Sequence, residues 1–310
     1  MKNTTLGTLL LAALFSACST PTENTADTTT LSVETLNNMQ FKKGYQLYTI
    51  REHLTDSASV KSAIAETAAM GYEQVETFGF AEGGFFGYTP EHFHGVLGES
   101  ALSSPSGHYL PMEIVTPEVG PISTESIPDM LDAAEKLGQH WIVIPWMNEA
   151  WRTQEGYQHL VVYLSQLGEA ARERGMVAAW HNHDFEFEPI DTNNPESMTA
   201  YEYLLKSLEG TNVVFEMDLH WVAFAGEDPV KWFEQYPGRF PLWHVKDFAA
   251  DTTTQVPVGQ GVIDWEHIFA HAKLSGLEHY FIEQDVCSAD RALDCLKESL
   301  AWTSKQSFIP

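Results

Sequence analysis

From Phe41 onward, short β-prone apolar runs alternate with amphipathic segments in a regular beat. The runs predict strands at Tyr45–Ile50, Gln74–Phe80, Ser104–Tyr109, Trp141–Met147, Val177–His183, Val213–Leu219, Leu242–Asp247 and Tyr280–Asp285. The intervening segments repeat apolar residues every three or four positions. They predict helices at Ala58–Met70, Pro90–Leu102, Ser126–Leu137, Glu155–Arg174, Ser197–Leu208, Pro229–Tyr236, Trp265–Ser275 and Ala289–Ser304. The fourth is the clearest, with Leu160, Leu164, Leu167 and Ala171 on one face. Gly71, Gly138, Gly175, Gly210 and Gly276 stand where helices should stop, and Asp228-Pro229 and Asp264-Trp265 where helices should start.

Eight strand–helix pairs in a stretch close to the typical barrel length of about 250 residues imply an α/β chain closed into a single-domain (β/α)8 TIM barrel. A doubly wound sheet would want a glycine-rich phosphate turn after its first strand. Tyr48-Thr49-Ile50-Arg51-Glu52 is no such turn. The glycine-rich stretch Thr77–Pro90 is expected to be a long loop at the mouth of the barrel.

The N-terminus changes the picture. Lys2 and the apolar run Leu6–Phe15 have the form of a signal peptide over residues 1–17, and Phe15-Ser16-Ala17-Cys18 reads as a lipobox with Cys18 as the lipidated residue. An ordinary secretory signal with a chance cysteine is the alternative, and both predict export. Residues 18–40, rich in Thr, Asn, Ser and Glu, predict a flexible tether, so the expected protein is a membrane lipoprotein facing the periplasm or the cell surface. Cys287 and Cys295 remain; in an oxidising compartment they can pair or stay free, and two cysteines alone do not suggest a zinc site. The formal charge of −26 argues against a nucleic-acid partner, which would need a basic footprint.

Polar residues recur at the predicted strand ends, where a core strand should have none. Residues two apart share a face of a strand, so Glu216, Asp218 and His220 point one way while Phe215, Met217 and Leu219 point the other. His244 and Lys246 alternate with Trp243 and Val245; Glu283 and Asp285 share a face, as do His181 and His183, and the second strand offers Glu76. Barrel strands bring their C-terminal ends to one lumen. Asp218, His244, Glu283 and a fifth-strand residue thus form a mixed carboxylate–imidazole set suited to Mn2+, Co2+, Mg2+ or Zn2+. Glu216 lies deeper and is expected behind the ligands. His92 and His94 fall on a predicted surface helix and read as solvated.

The motifs Gly44-Tyr45-Gln46-Leu47-Tyr48-Thr49, His181-Asn182-His183-Asp184-Phe185-Glu186-Phe187, Glu216-Met217-Asp218-Leu219-His220-Trp221, His244-Val245-Lys246-Asp247, Val258-Gly259-Gln260-Gly261-Val262-Ile263-Asp264 and Phe281-Ile282-Glu283-Gln284-Asp285 occur in that order. Together they resemble the sugar phosphate isomerase/epimerase group of the xylose isomerase-like TIM-barrel superfamily, from about Phe41 to Trp302. The resemblance implies a metal held by Glu, Asp, His and Glu from strands five to eight. Asp218, His244 and Glu283 match. The fifth-strand position falls on His181, and the nearest glutamate is Glu186, so the fourth ligand is left open between them.

The resemblance further implies removal of a proton beside a carbonyl. Glu283 is then the first choice as base, with Glu186 or His183 opposite and Lys246 on the developing oxyanion; Glu76, His108 and Trp146 are expected substrate contacts. The same intermediate serves isomerisation, epimerisation, or loss and addition of water in a keto-sugar. Export favours a non-phosphorylated sugar. The rivals are the endonuclease branch of the superfamily, disfavoured by acidity, and a non-catalytic carbohydrate-binding lipoprotein. Oligomeric state is not legible.

Overall fold

The computed structural model of the protein describes residues 41–191, 193–250 and 254–309. The expected signal peptide, Cys18 and the tether lie outside the described residues. Eight parallel strands form one sheet: β1 Gly44–Gln46, β2 Gln74–Glu76, β3 Ser106–His108, β4 Trp141–Ile144, β5 Val177–His181, β6 Val213–Asp218, β7 Leu242–Val245 and β8 His279–Ile282. Their order runs β2-β1-β8-β7-β6-β5-β4-β3, which brings the last strand beside the first. The sheet closes between β2 and β3 by the isolated parallel bridges Gln74↔Ser103 and Thr77↔Gly107 rather than by a continuous ladder. Pro105, which has no N–H to contribute, interrupts that seam. Side chains reinforce it: Gln139 Nε2 donates to Thr77 Oγ1 at 2.8 Å and to Ser104 Oγ at 2.8 Å. A Cβ on Gly107 would sit 2.6 Å from Thr77 Oγ1 and 2.7 Å from the Gln139 amide, so only glycine fits there.

Helices cover the barrel in the expected rhythm, with boundaries moved by local capping. The predicted first strand is cut to Gly44–Gln46, because the Gln46 side chain accepts from Tyr48 N and turns Leu47–His53 into a 3-10 helix. The sixth strand stops at Asp218, whose Oδ1 accepts from His220 N and Trp221 N and starts a short helix, Leu219–Phe224. His220 therefore leaves the strand parity assumed for it. The segment expected as one helix at Trp265–Ser275 breaks into Trp265–Phe269 and Ala272–Ser275. Within Thr77–Pro90, Phe80–Ala81 and Gly84–Phe85 pair as a small antiparallel hairpin over the barrel mouth. Cys287 and Cys295 are joined as a disulfide, tying the segment after β8 to the last helix, Ala292–Thr303.

Strand parity positions everything that follows. Outward residues such as Trp180, Phe215, Met217, Trp243 and Val245 pack into the main core beneath the helices. Inward, Trp141, Val143, Ala179, Leu242 and Phe281 fill the lower lumen as a separate apolar plug. One step further along the same faces, the inward positions become His181, Glu216, Asp218 and His244. The register sets His181 against Glu216 and Asp218 against His244.

Candidate active site

Two polar tiers sit on the apolar plug. In the lower tier three imidazoles converge on one oxygen. Glu216 Oε2 lies 2.8 Å from His108 Nε2, 2.9 Å from His181 Nδ1 and 3.2 Å from His244 Nε2. Glu76 Oε2 lies 3.0 Å from His108 Nε2 and 2.6 Å from His244 Nε2, and accepts from Gln46 Nε2 at 2.7 Å. The Ser106 hydroxyl donates to Glu76 Oε1. Glu216 Oε1, also buried, has no hydrogen-bond partner among the described residues.

The upper tier is built from β6, β7 and the chain just after β8. His244 turns its other nitrogen, Nδ1, to Glu283 Oε2 at 2.6 Å. Lys246 Nζ stands 2.8 Å from Asp218 Oδ2, 2.6 Å from Glu283 Oε2 and 2.9 Å from Asp285 Oδ2. Asn182 fixes the Asp218 backbone, accepting from its N–H at 3.0 Å and donating to its carbonyl at 3.3 Å. Gln255 anchors Asp285: its Nε2 donates to Asp285 Oδ2 at 2.9 Å, and its Oε1 accepts from Asp285 N at 2.7 Å.

These contacts set the protonation states. Burial alone would lower the His108 pKa, but the Glu76 and Glu216 carboxylates outweigh it and lift it to about 9. His244 is likewise raised against burial by Glu216 and Glu283. His181 is driven down by burial and by the neighbouring imidazoles. Burial raises Asp218 to about 6, with Lys246 opposing. For Glu283, burial works upward, but Lys246 and His244 prevail and hold it below the usual carboxylate range.

Five carboxyl groups thus share one ammonium and two imidazoles inclined to stay protonated, which leaves the buried set short of positive charge. That deficit, the unpartnered Glu216 Oε1 and the all-nitrogen-and-oxygen donor set fit a divalent cation. Two groups of residues bring their potential ligand atoms within 4.8 Å of one another: Asp218, His244 and Glu283, and His108, His181, Glu216 and His244.

Above the tiers opens a cavity of about 600 Å³. His108, His181, His183, Lys246, Glu283 and Asp285 line its floor, and Trp146 and Trp221 stand on its walls. The hairpin residues Phe80 and Ala81 line it too, so the glycine-rich stretch does form part of the mouth.

Of the residues singled out from sequence, Asp218, His244 and Glu283 come together, and His181 Nε2 stands 3.6 Å from Asp218 Oδ2. Glu186 does not join them: wholly buried, it accepts from Trp180 Nε1 at 3.0 Å and His183 N at 2.9 Å, and it does not line the cavity. Glu76, expected to touch substrate, has no exposed surface and belongs to the lower tier. Glu216, expected behind the ligands, lies wholly buried below the cavity and contacts His181 and His244 from there, at the centre of an imidazole cluster that His108 joins. Sequence reasoning passed over Gln255, which sits in a two-residue strand, Gln255–Val256, too short to carry a periodic signal.

The chain matches the family model of the xylose isomerase-like TIM barrel over residues 64–306, and it belongs to that family. Among solved structures it resembles a sugar phosphate isomerase/epimerase from Parabacteroides distasonis, with a TM-score of 0.73 and 23% identity over 87% of this chain and 100% of that one. It also resembles the probable 3-DHS dehydratase of petrobactin synthesis from Bacillus anthracis, with a TM-score of 0.65 and 16% identity over 86% of this chain and 100% of that one. A third likeness is D-allulose 3-epimerase from Methylomonas sp. in complex with D-allulose, with a TM-score of 0.63 and 14% identity over 86% and 97%. A comparison with curated protein sequences finds no match.

Proposed function

We propose that this protein is a divalent-metal-dependent enzyme that isomerises or epimerises a non-phosphorylated sugar or keto-sugar, by proton transfer at the carbon beside a carbonyl. One observation carries the reading: a carboxylate held ionised, Glu283, lines the cavity floor within coordination reach of Asp218 and His244. Asp218, His244 and Glu283 would hold the ion, with His181 as the nearest further donor, and a bound ion would polarise the carbonyl as a Lewis acid. Which of Mn2+, Co2+, Mg2+ or Zn2+ occupies it is part of the test.

Glu283 takes the proton. The Lys246 ammonium keeps it ionised and aimed. Lys246, itself lining the cavity, donates to the oxygen on which negative charge develops. His183 faces the same cavity with an unpartnered Nδ1 and is kept neutral, its pKa pushed down to about 3 by burial and then by Lys246. It is the candidate to exchange a proton on the opposite side, with Glu186 bracing its backbone. Trp146 offers a flat face to a sugar ring. Lys246 is the one lysine or arginine among the residues lining the cavity, so a phosphate group would compete with the developing oxyanion for a single ammonium.

Loss or addition of water through the same deprotonated sugar is the second reading, favoured by the likeness to a dehydratase. Export and anchoring through Cys18 complete the proposal, on the lipobox alone. The test is elemental analysis of the purified protein, followed by incubation with free and 3-keto sugars in heavy water. Deuterium should enter at one carbon, and Glu283→Gln should slow that exchange by about 100-fold or more. Full exchange by the variant, or none by the metal-loaded protein with any sugar, would overturn the assignment.

A further inference from the structure

Single exposed apolar side chains are ordinary on a protein surface, whereas several lining one cavity mark a binding surface. Among the described residues, Tyr48, Leu110, Met112, Val162, Met198, Val262, Leu274 and Val286 are the exposed large hydrophobics. Four of them, Tyr48, Leu110, Met112 and Val286, line the cavity above the charged floor. Met112 is 69% and Val286 65% exposed. They come from three separate stretches of chain, so the patch is assembled by the fold rather than by one stray loop.

Phe78 extends this wall. It stands edge-on to Tyr48, ring centroids 5.1 Å apart, and to Phe86, 5.3 Å apart. The Arg51 guanidinium sits 4.3 Å from the Tyr48 ring centroid. The aromatic part of the wall is therefore held in place before any ligand arrives.

A sugar ring can stack on Trp146, but its hydroxyls gain nothing from Met112, Leu110 or Val286, which offer neither hydrogen bonds nor a flat face. The cavity volume lies within the range of about 300–1,000 Å³ that suits drug-sized ligands, more than one monosaccharide needs. We propose that the substrate is a keto-glycoside, whose ring ketone supplies the carbonyl that its acetal-locked anomeric carbon cannot, with its sugar on the Glu283–Lys246 floor and an apolar, aryl-type aglycone against the Tyr48–Phe78–Met112–Val286 side of the cavity. The inference rests on the sugar reading of the floor given above and adds what is attached to that sugar.

The test compares matched phenyl and methyl 3-keto-glycosides of glucose, galactose and mannose, with phenol alone and the free sugars as controls. Binding to the metal-loaded protein is followed by calorimetry and by tryptophan fluorescence, to which Trp146 and Trp221 on the cavity contribute. For at least one sugar the phenyl glycoside should bind about 10- to 100-fold more tightly than the methyl glycoside, the range expected from covering one aromatic ring. Met112→Asn and Val286→Asn, both at well-exposed positions where folding is not at stake, should each shrink that ratio. Equal affinity for the two glycosides, a ratio unchanged in both variants, or phenol binding as tightly as its glycoside would each overturn the proposal. Free sugars that bind and exchange deuterium while no glycoside binds would overturn it and leave the enzymatic reading intact. A phenyl preference without deuterium exchange in any sugar would support the aglycone site while removing the proton-transfer chemistry.

Discussion

Replacing Asp247 by Asn tests how the segment behind the active site is held. The carboxylate is buried at 1% exposure directly after Lys246 and serves as the hub of the Val258–Asp264 motif. Its Oδ2 accepts from Gly259 N at 2.9 Å, Gly261 N at 3.1 Å and Trp265 Nε1 at 3.1 Å. Its Oδ1 accepts from Phe248 N at 3.0 Å and Ile263 N at 3.3 Å. An Asn side chain can present oxygen to only one of these two sets. In its better orientation the amide turns its own donors toward Phe248 N and Ile263 N. Two part-buried donors are then orphaned, at up to about 1–3 kcal/mol each. The expected destabilisation is about 3–5 kcal/mol, or a fall in Tm of roughly 10 °C at about 2–4 °C per kcal/mol. Trp265→Phe, which removes one donor and leaves the hub intact, should lose less. The assay is thermal and urea unfolding of both variants, with the urea m value checked for constancy. A Tm within about 2 °C of the parent for Asp247→Asn, against the stated dependence, would show that the carboxylate does not hold the segment.

Three further outcomes follow from the described geometry. Metal binding should release protons and tighten as pH rises, because His244 is held protonated by carboxylates and must lose a proton to coordinate; calorimetry in buffers of different ionisation enthalpy checks this, and pH-independent affinity would contradict it. Burial lifts Glu186 from 4.5 to about 8, with donors from His183 and Trp180 opposing. Its raised folded-state pKa contributes stability that is fully present below about pH 4.5 and lost as pH rises through about 8. Glu186→Gln should flatten the Tm profile across that window, whatever constant offset the substitution adds. Opening the Cys287–Cys295 link with Cys287→Ser and Cys295→Ser together should remove about 2–3 kcal/mol, the loop-closure value for a short loop, and unchanged urea midpoints would refute it.

Much of the barrel was legible because strand parity and helix spacing are local signals. The alternation around Trp243–Lys246 and Phe215–Asp218 told inside from outside without any tertiary information, and so placed Asp218 and His244 in the lumen. What escaped were the depth and the ends of elements. Glu216 read as the deeper residue that it is, but Glu76 read as a polar residue near a strand end, and how far below the cavity it lies depends on the stagger between neighbouring strands, such as Gln46 against Glu76. The early end of the first strand turned on one side chain, Gln46, capping the turn that follows. The His181–Glu186 motif held two candidates for one role, and only the 3-10 turn at Phe185–Phe187, which sends Glu186 back toward Trp180, separates them.

The irregular join between β2 and β3 carries a consequence for motion. Every other neighbouring pair of staves shares a ladder, whereas this pair is bridged at two points and stitched by the Gln139 amide. The chain leaving β2 runs directly into Phe78 and the hairpin over the mouth. Amide exchange should therefore be faster along Ser103–Gly107 than in β6 and β7. Any loosening at this seam would leave the strands that carry Asp218 and His244 in register, because those two are joined by their own ladder.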